Sequence, residues 1–307
     1  MRACSRSISN GVDNEKGIKT MILLDGKKLA KKILTELKQE RVKIKKAMRC
    51  AIVAVGADKV TETYLREKQK FAAELDIDFK VHHYSETIST DELRKQLKTI
   101  VHLEKNRGVV IQLPLPKHIN TQYVLSAVTP EKDIDMLSAR AVGNFVVGLN
   151  QRVAQGKSSI LPPVVGAVKV LLNEYTIDYK SKYIVVVGAG RLVGKPLALW
   201  LLNEKATFSV VRSTTPDISE FTKKADIVIS GVGKSKLITG DMIKEGAVVI
   251  DCGTSESGGA IAGDVDVASV SEKVAYLAPV PGGVGPLAVA MLFKNLITLA
   301  KGEKEDE

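Results

Sequence analysis

The run Tyr183-Ile-Val-Val-Val-Gly188-Ala189-Gly190-Arg191-Leu192-Val-Gly194-Lys-Pro196 constrains this chain most. An apolar stretch goes straight into a glycine turn, and a helical pattern starts there. That is the strand–turn–helix in which unpaired helix N–H groups face a phosphate. Gly188 permits the tight turn, and the bare Cα of Gly190 lets the backbone approach a pyrophosphate. The spacing is G-x-G-x-x-x-G rather than the commoner G-x-G-x-x-G, and alone the glycines also fit a plain strand-to-helix turn. The next apolar run, Thr207–Val211, ends in Arg212-Ser213-Thr214 with no carboxylate. An acidic residue there would accept from a ribose 2′-hydroxyl, whereas a guanidinium and hydroxyls suit a 2′-phosphate. The expected cofactor is NADP, held by Gly188, Ala189, Gly190, Arg191, Leu192, Arg212 and Ser213. An arginine exposed at a strand end is the plain alternative for Arg212.

The rest of the chain alternates in the same way. The pattern predicts a helix over about 26–45, a strand Cys50–Val55, a helix over about 61–75 and a strand Phe79–Tyr84. It continues with a helix capped at Ser89 or Thr90 and a strand Gly108–Gln112, closed by Leu113-Pro114-Leu115-Pro116. A glycine-bearing stretch over 129–159 reads as a loop-rich junction. Beyond it come a helix Val165–Glu174, the strand Tyr183–Val187, a helix Leu192–Asn203, the strand Thr207–Val211 and a helix Ile218–Lys223. Strands Ile227–Ser230 and Ala247–Asp251 and a last helix Pro286–Leu299 complete the series. Such alternation predicts parallel sheets covered by helices on both faces. The expected fold is α/β with two domains and a cleft between them. Residues 21–160 form the first, joined by a returning C-terminal segment 286–307, and residues 161–285 form a Rossmann-type nucleotide domain. Residues 1–20 read as a disordered extension.

Other function classes find little support. The net charge of +10 suggests nucleic acid, but Lys27, Lys28, Lys31 and Lys32 surround the apolar series Leu29, Ile33, Leu37, which reads as the wet face of a half-buried helix. No nucleic-acid module stands out, so no such partner is expected. Cys4, Cys50 and Cys252 have no CxxC spacing, and His82–His83 is the one adjacent histidine pair, so neither a metal site nor a disulfide framework is expected. No apolar run reads as long enough for a membrane span. A reducing cytoplasm is the expected location.

Four further segments carry unusual chemistry. Tyr64 and Lys68 stand four apart on one helix face. Gln112 ends an apolar strand before Leu113-Pro114-Leu-Pro. Asp133-Ile-Asp135 is a carboxylate-rich turn, and Pro279-Val-Pro281-Gly282-Gly283-Val284-Gly285-Pro286 is a rigid glycine-rich loop. Together, in this order and from about Met21 to Leu299, they resemble the bifunctional methylenetetrahydrofolate dehydrogenase/methenyltetrahydrofolate cyclohydrolase family, the FolD-type enzymes. The resemblance implies NADP-dependent oxidation of 5,10-methylenetetrahydrofolate to the methenyl form, then hydrolysis to 10-formyltetrahydrofolate, which serves purine biosynthesis.

By the same resemblance, Lys68 is the central catalytic residue, Tyr64 lies against the aminobenzoyl part of the folate, Gln112 holds Lys68, and Asp135 bonds the pterin. Leu113, Pro114 and the stretch Pro281, Gly282, Gly283, Val284, Gly285 line the substrate side. Thr254 approaches the nicotinamide end of the cofactor. The resemblance also suggests a homodimer. The sequence departs from the family pattern at Met136 (a glycine in the family), Pro163, Gly190 (a serine) and Gly253-Thr254-Ser255 (Gly-Ile-Asn). A member with dehydrogenase activity alone, or a non-catalytic NADP-binding protein, is the alternative.

Overall fold

The computed structural model describes residues 21–56, 59–148, 160–257 and 260–302. The expected extension over 1–20 lies outside the described residues, as does the end of the 286–307 segment.

A short strand β1 (Ile22–Leu23) leads to helix α1 (Gly26–Val42), whose first turn is capped by the Asp25 side chain accepting from Lys28 N. Leu29, Ala30, Ile33 and Leu37 point inward, as the four-residue spacing requires. Burying each large side chain contributes about 1.5–3 kcal/mol. Strand β2 (Arg49–Val55), helix α2 (Lys59–Glu74), strand β3 (Asp78–Tyr84), helix α3 (Thr90–His102, capped by Ser89) and strand β4 (Asn106–Ile111) follow. The three strands are parallel in the order β3-β2-β4. Cys50, Ile52 and Val110 enter one core, and Ala51, Val53, Val109 and Ile111 enter another. A sheet buried on both faces needs such unbroken apolar strands.

Two short helices, α4 (Thr121–Leu125) and α5 (Ala139–Val146), carry the chain onward. The second corrects the loop-rich reading of that stretch. Only Ala141 and Phe145 are buried in α5, four apart, and Ser138 caps it. Ala141-Val142 and Phe145-Val146 recur at helical spacing, but the helix is only two turns long and carries Gly143, which reads as loop.

Helix α6 (Pro163–Glu174) opens the second unit. Strand β5 (Tyr183–Val187), helix α7 (Gly194–Asn203), strand β6 (Thr207–Val211), helix α8 (Ser219–Thr222), strand β7 (Ile227–Ser230) and strand β8 (Val248–Asp251) follow. A hairpin of β9 (Ser255–Ser257) and β10 (Ala260–Ala262), helix α9 (Val267–Val270), strand β11 (Tyr276–Ala278) and helix α10 (Val284–Gly302) complete the chain. The large sheet is parallel throughout, in the order β1-β11-β8-β7-β5-β6. The strand order reverses between β5 and β7, and α/β sheets bind ligands outside the carboxyl ends at such a point. Alternate residues of β5 serve opposite cores, Ile184 and Val186 one, Val185 and Val187 the other.

Three placements differ from expectation. Strand β1 pairs with β11 at the edge of the nucleotide-domain sheet, not with the first unit; two residues carry too little pattern to declare their sheet. Helix α7 begins at Gly194 rather than Leu192, because the turn continues to Val193. Helix α10 begins at Val284, so Val284 and Gly285 are helical, and it runs to Gly302. Over Val284–Lys301 it is long and apolar enough to cross a membrane by length and composition, contrary to the sequence reading. In the fold it packs against α1 and α6, with Leu287, Phe293, Leu296 and Ile297 fully buried. Its core joins the two sheets.

Candidate active site

A cavity of about 1290 Å³ lies between the two units, bounded by α1, α2, the segment after β4, residues 191–193 just beyond the glycine turn and the start of α10. Lys68 reaches it from α2. Leu65, on the neighbouring face, is buried and anchors the helix. Lys68 Nζ donates to Gln112 Oε1 at 2.9 Å, and Gln112 Nε2 donates to Leu113 O at 3.0 Å. The second bond orients the amide so that its oxygen faces the lysine. Burial holds the Lys68 ammonium below its ordinary pKa, while the Asp135 carboxylate and the Cys50 thiol push the other way.

Asp135 enters through a turn that Asp133 builds. Buried Asp133 accepts from Leu137 N at 3.2 Å and Ser138 N at 2.7 Å, and Val109 N donates to Lys132 O at 2.8 Å, tying the turn to β4. Burial raises Asp135 to about 6; the Lys68 charge pulls it down and the Asp133 carboxylate pushes it up. Met136, where the family has glycine, adopts φ 56° and is buried. This is the left-handed backbone that glycine accepts without cost. Cys50, behind Lys68 on β2, is driven by burial to about 12, which keeps it a thiol.

Beyond the opposite wall lies a nucleotide-like turn. Gly188 has φ 100°, its N–H donates to Val211 O at 2.8 Å, and so the glycine turn sits directly beside Arg212. A Cβ on Gly194 would fall 2.0 Å from Gly188 O, so only glycine lets the helix start against the turn. At Gly190 a Cβ would meet nothing closer than Gly231 O at 4.0 Å. Space over the turn is open, as an incoming pyrophosphate requires, and the family's serine would fit equally. Arg191 and Leu192 line the cavity. Gly188, Ala189, Gly190, Arg212 and Ser213 stand outside its walls, at the carboxyl ends of β5 and β6, where Arg212 and Ser213 are exposed.

Thr254 lies on the wall facing α2, and Tyr64 Oη donates to Thr254 Oγ1 at 3.2 Å. Leu113, Pro114, Pro281, Gly282, Val284 and Gly285 also line the cavity. Gly283 does not. A Cβ on Gly26 would lie 1.7 Å from Gly283 O, so Gly283 packs backward on the start of α1. The sequence reading grouped it with the substrate loop because a glycine run cannot show which backbone faces the cavity.

Sequence reasoning missed two buried acids. Asp264 accepts from Ser230 Oγ, Val232 N, Gly233 N and Lys234 N at 2.7–2.8 Å. Asp251 accepts from Gly253 N at 2.9 Å, Asp264 N at 3.1 Å and Val265 N at 3.0 Å. Together they fix the loops beyond β7 and β8. The signal was present: a carboxylate closing an apolar strand, and another after Gly263.

Comparison with known proteins agrees with this architecture. The family described as "Tetrahydrofolate dehydrogenase/cyclohydrolase" matches twice, with its catalytic domain over residues 24–135 and its NAD(P)-binding domain over 162–304. "Bifunctional protein FolD" of Nitratiruptor sp. is 43% identical over 291 residues, covering 92% of this chain and 99% of that protein. The crystal structure of the bifunctional FolD enzyme of Campylobacter jejuni is 39% identical with a TM-score of 0.85, over 92% of this chain and 99% of that one. The Trypanosoma brucei methylenetetrahydrofolate dehydrogenase-cyclohydrolase, solved with NADP cofactor and inhibitor, is 34% identical with a TM-score of 0.85 over 92% and 97%. By its sequence, its fold and the residues gathered in its cleft, the chain belongs to the tetrahydrofolate dehydrogenase/cyclohydrolase family.

Proposed function

We propose that the protein oxidises 5,10-methylenetetrahydrofolate with NADP⁺ and hydrolyses the methenyl product to 10-formyltetrahydrofolate in one cleft. The observation carrying this reading is the Lys68–Gln112 pair at 2.9 Å, facing the same cavity as Arg191, Leu192 and Val193, which join the glycine turn to α7.

NADP, when bound, supplies the acceptor for the electrons removed from the folate methylene carbon. The chain fits it: the space over Gly190 is open, and Arg212 lies beside the turn for the 2′-phosphate. The oxidation step then asks the protein for position and exclusion of water. Tyr64, Leu113, Pro114 and the Pro281–Gly282 backbone form a surface for the aromatic part of the folate, and Asp135 accepts a hydrogen bond from the pterin.

Hydrolysis asks for a proton carrier. A lysine at its ordinary pKa of about 10.4 is a poor base near neutral pH. Burial lowers Lys68, and the cationic methenyl substrate beside it lowers it further. Neutral Lys68 takes a proton from water as its oxygen bonds to the methenyl carbon, and Gln112 keeps the lysine nitrogen in place. The bond from that carbon to N5 then breaks as N5 takes the proton from the Lys68 ammonium, and the added hydroxyl loses its hydrogen to water, leaving the formyl group on N10.

The protein acts on one-carbon tetrahydrofolate derivatives in the cytoplasm, as a homodimer, and its product serves purine synthesis. Following NADP⁺ reduction with 5,10-methylenetetrahydrofolate, and then the decay of added methenyltetrahydrofolate, tests the reading. Absence of both reactions in folded protein refutes it.

A further inference from the structure

Thr254 stands where the family pattern has isoleucine, and its hydroxyl takes part in a bond that isoleucine cannot make. Tyr64 Oη, from α2, donates to Thr254 Oγ1 at 3.2 Å across the cleft, between residues 190 apart in sequence. Both ends are held by rigid structure. Gly253 N donates to the buried Asp251 carboxylate at 2.9 Å, just before Thr254, and Ser255 begins the β9–β10 hairpin just after it. On the other side, α2 is anchored by Leu65, Ala72 and the stack of Phe71 on Phe293 of α10, with ring centroids 5.3 Å apart. The contact therefore joins two walls that cannot easily shift to remake it elsewhere.

We propose that Thr254 is a positioning residue that acts through Tyr64. It tethers the folate wall to the wall at the carboxyl end of β8, setting the distance between the folate methylene carbon and the cofactor for the oxidation step. This rests on the function proposed above. A tyrosine tethered at its hydroxyl presents its ring in one orientation, whereas a free phenol samples several. The Thr254 hydroxyl uses an oxygen lone pair in the tether and keeps its own hydrogen to donate.

The test compares Thr254→Val, which keeps the shape and removes the hydroxyl, with Thr254→Ser, which keeps the hydroxyl, each alone and combined with Tyr64→Phe. Thr254→Val should lower dehydrogenase kcat/KM for the folate about three- to tenfold, the effect of one neutral hydrogen bond. Thr254→Ser should remain within about twofold of wild type. In the Tyr64→Phe background Thr254→Val should add no further loss, because the bond is already gone. Circular dichroism and melting temperature check that each variant is folded. Equal loss from Val and Ser, or full additivity with Tyr64→Phe, would overturn the tether. Wild-type protein lacking both reactions would instead refute the functional reading, so the two failures are distinct.

Discussion

Replacing Lys68 with Met should separate the two reactions. Methionine keeps most of the stem that packs in the cleft and removes the nitrogen that bonds Gln112 Oε1 at 2.9 Å. Two consequences follow from the geometry. The first is loss of the proton carrier, so cyclohydrolase kcat should fall about 10²–10⁴-fold, or about 3–5 kcal/mol of barrier. The second acts through Asp135. With its carboxyl at about 6, about 90% of it is ionised at pH 7. Removing the Lys68 charge takes away the interaction that holds it down, so its pKa rises and this fraction falls. Dehydrogenase activity should therefore drop modestly at neutral pH and recover toward wild type at about pH 8.5, where Asp135 is ionised again. Folding should change little, because Gln112 is only partly buried and water in the cleft can replace the lost donor. The assay measures both rates in one folded preparation across this range. If the mutant keeps cyclohydrolase activity within a factor of about two, Lys68 carries no proton in the reaction and the hydrolytic half of the proposal falls.

Three other outcomes follow from the same site. Cyclohydrolase kcat/KM should decline as pH falls through about 6, as Asp135 protonates, and Asp135→Asn should erase that inflection; an unchanged profile assigns the titration elsewhere. The same raised pKa means that Asp135 contributes stability fully below its unfolded value of about 3.9, lost as pH rises through the folded value. Arg212→Asp should weaken NADP and spare NAD, since a carboxylate repels a 2′-phosphate and accepts from a 2′-hydroxyl; equal kcat/KM for both cofactors in wild type would remove Arg212 from cofactor choice. Met136→Gly relieves left-handed backbone by about 1–2 kcal/mol but loses a buried side chain worth about 2–5 kcal/mol, so urea unfolding should show net destabilisation of up to about 4 kcal/mol; a gain in stability would show that backbone strain dominates at this turn.

Where an apolar run ended on a glycine or a charged residue, its limits could be read directly. Tyr183–Val187, Thr207–Val211 and Ile227–Ser230 are strands over those same residues. Elements with little pattern of their own could not be read. Ile22–Leu23 is a strand only because β11 is beside it, and Ala139–Val146 is two turns long with a glycine inside it. The site shows the same division. Tyr64 and Lys68 share a helix face by spacing alone, but the meeting of Lys68 with Gln112 over 44 residues depends on how α2 packs on its own sheet, and that of Tyr64 with Thr254 over 190 on how the two sheets are set together. Motif order named these residues without measuring a distance. Asp251 and Asp264 are marked in the sequence only by their places after an apolar strand and after Gly263; that they bind loops rather than a ligand follows from their backbone N–H partners, which only the structure shows.

The edge position of β1 has a mechanical meaning. Because the first described strand lies in the nucleotide-side sheet, the chain crosses between the two sheets three times: from β1 into α1, between α5 and α6, and from β11 into α10. The first and third crossings touch where Gly26 meets Gly283, too close for any side chain. A body joined at one strap can swivel and slide as well as open; one joined at three, two of them clasped, resists all but a bend about the clasp. The two walls of the cleft are thus tied by covalent chain at three places, and the clasp between two of them restricts sliding of one sheet along the other.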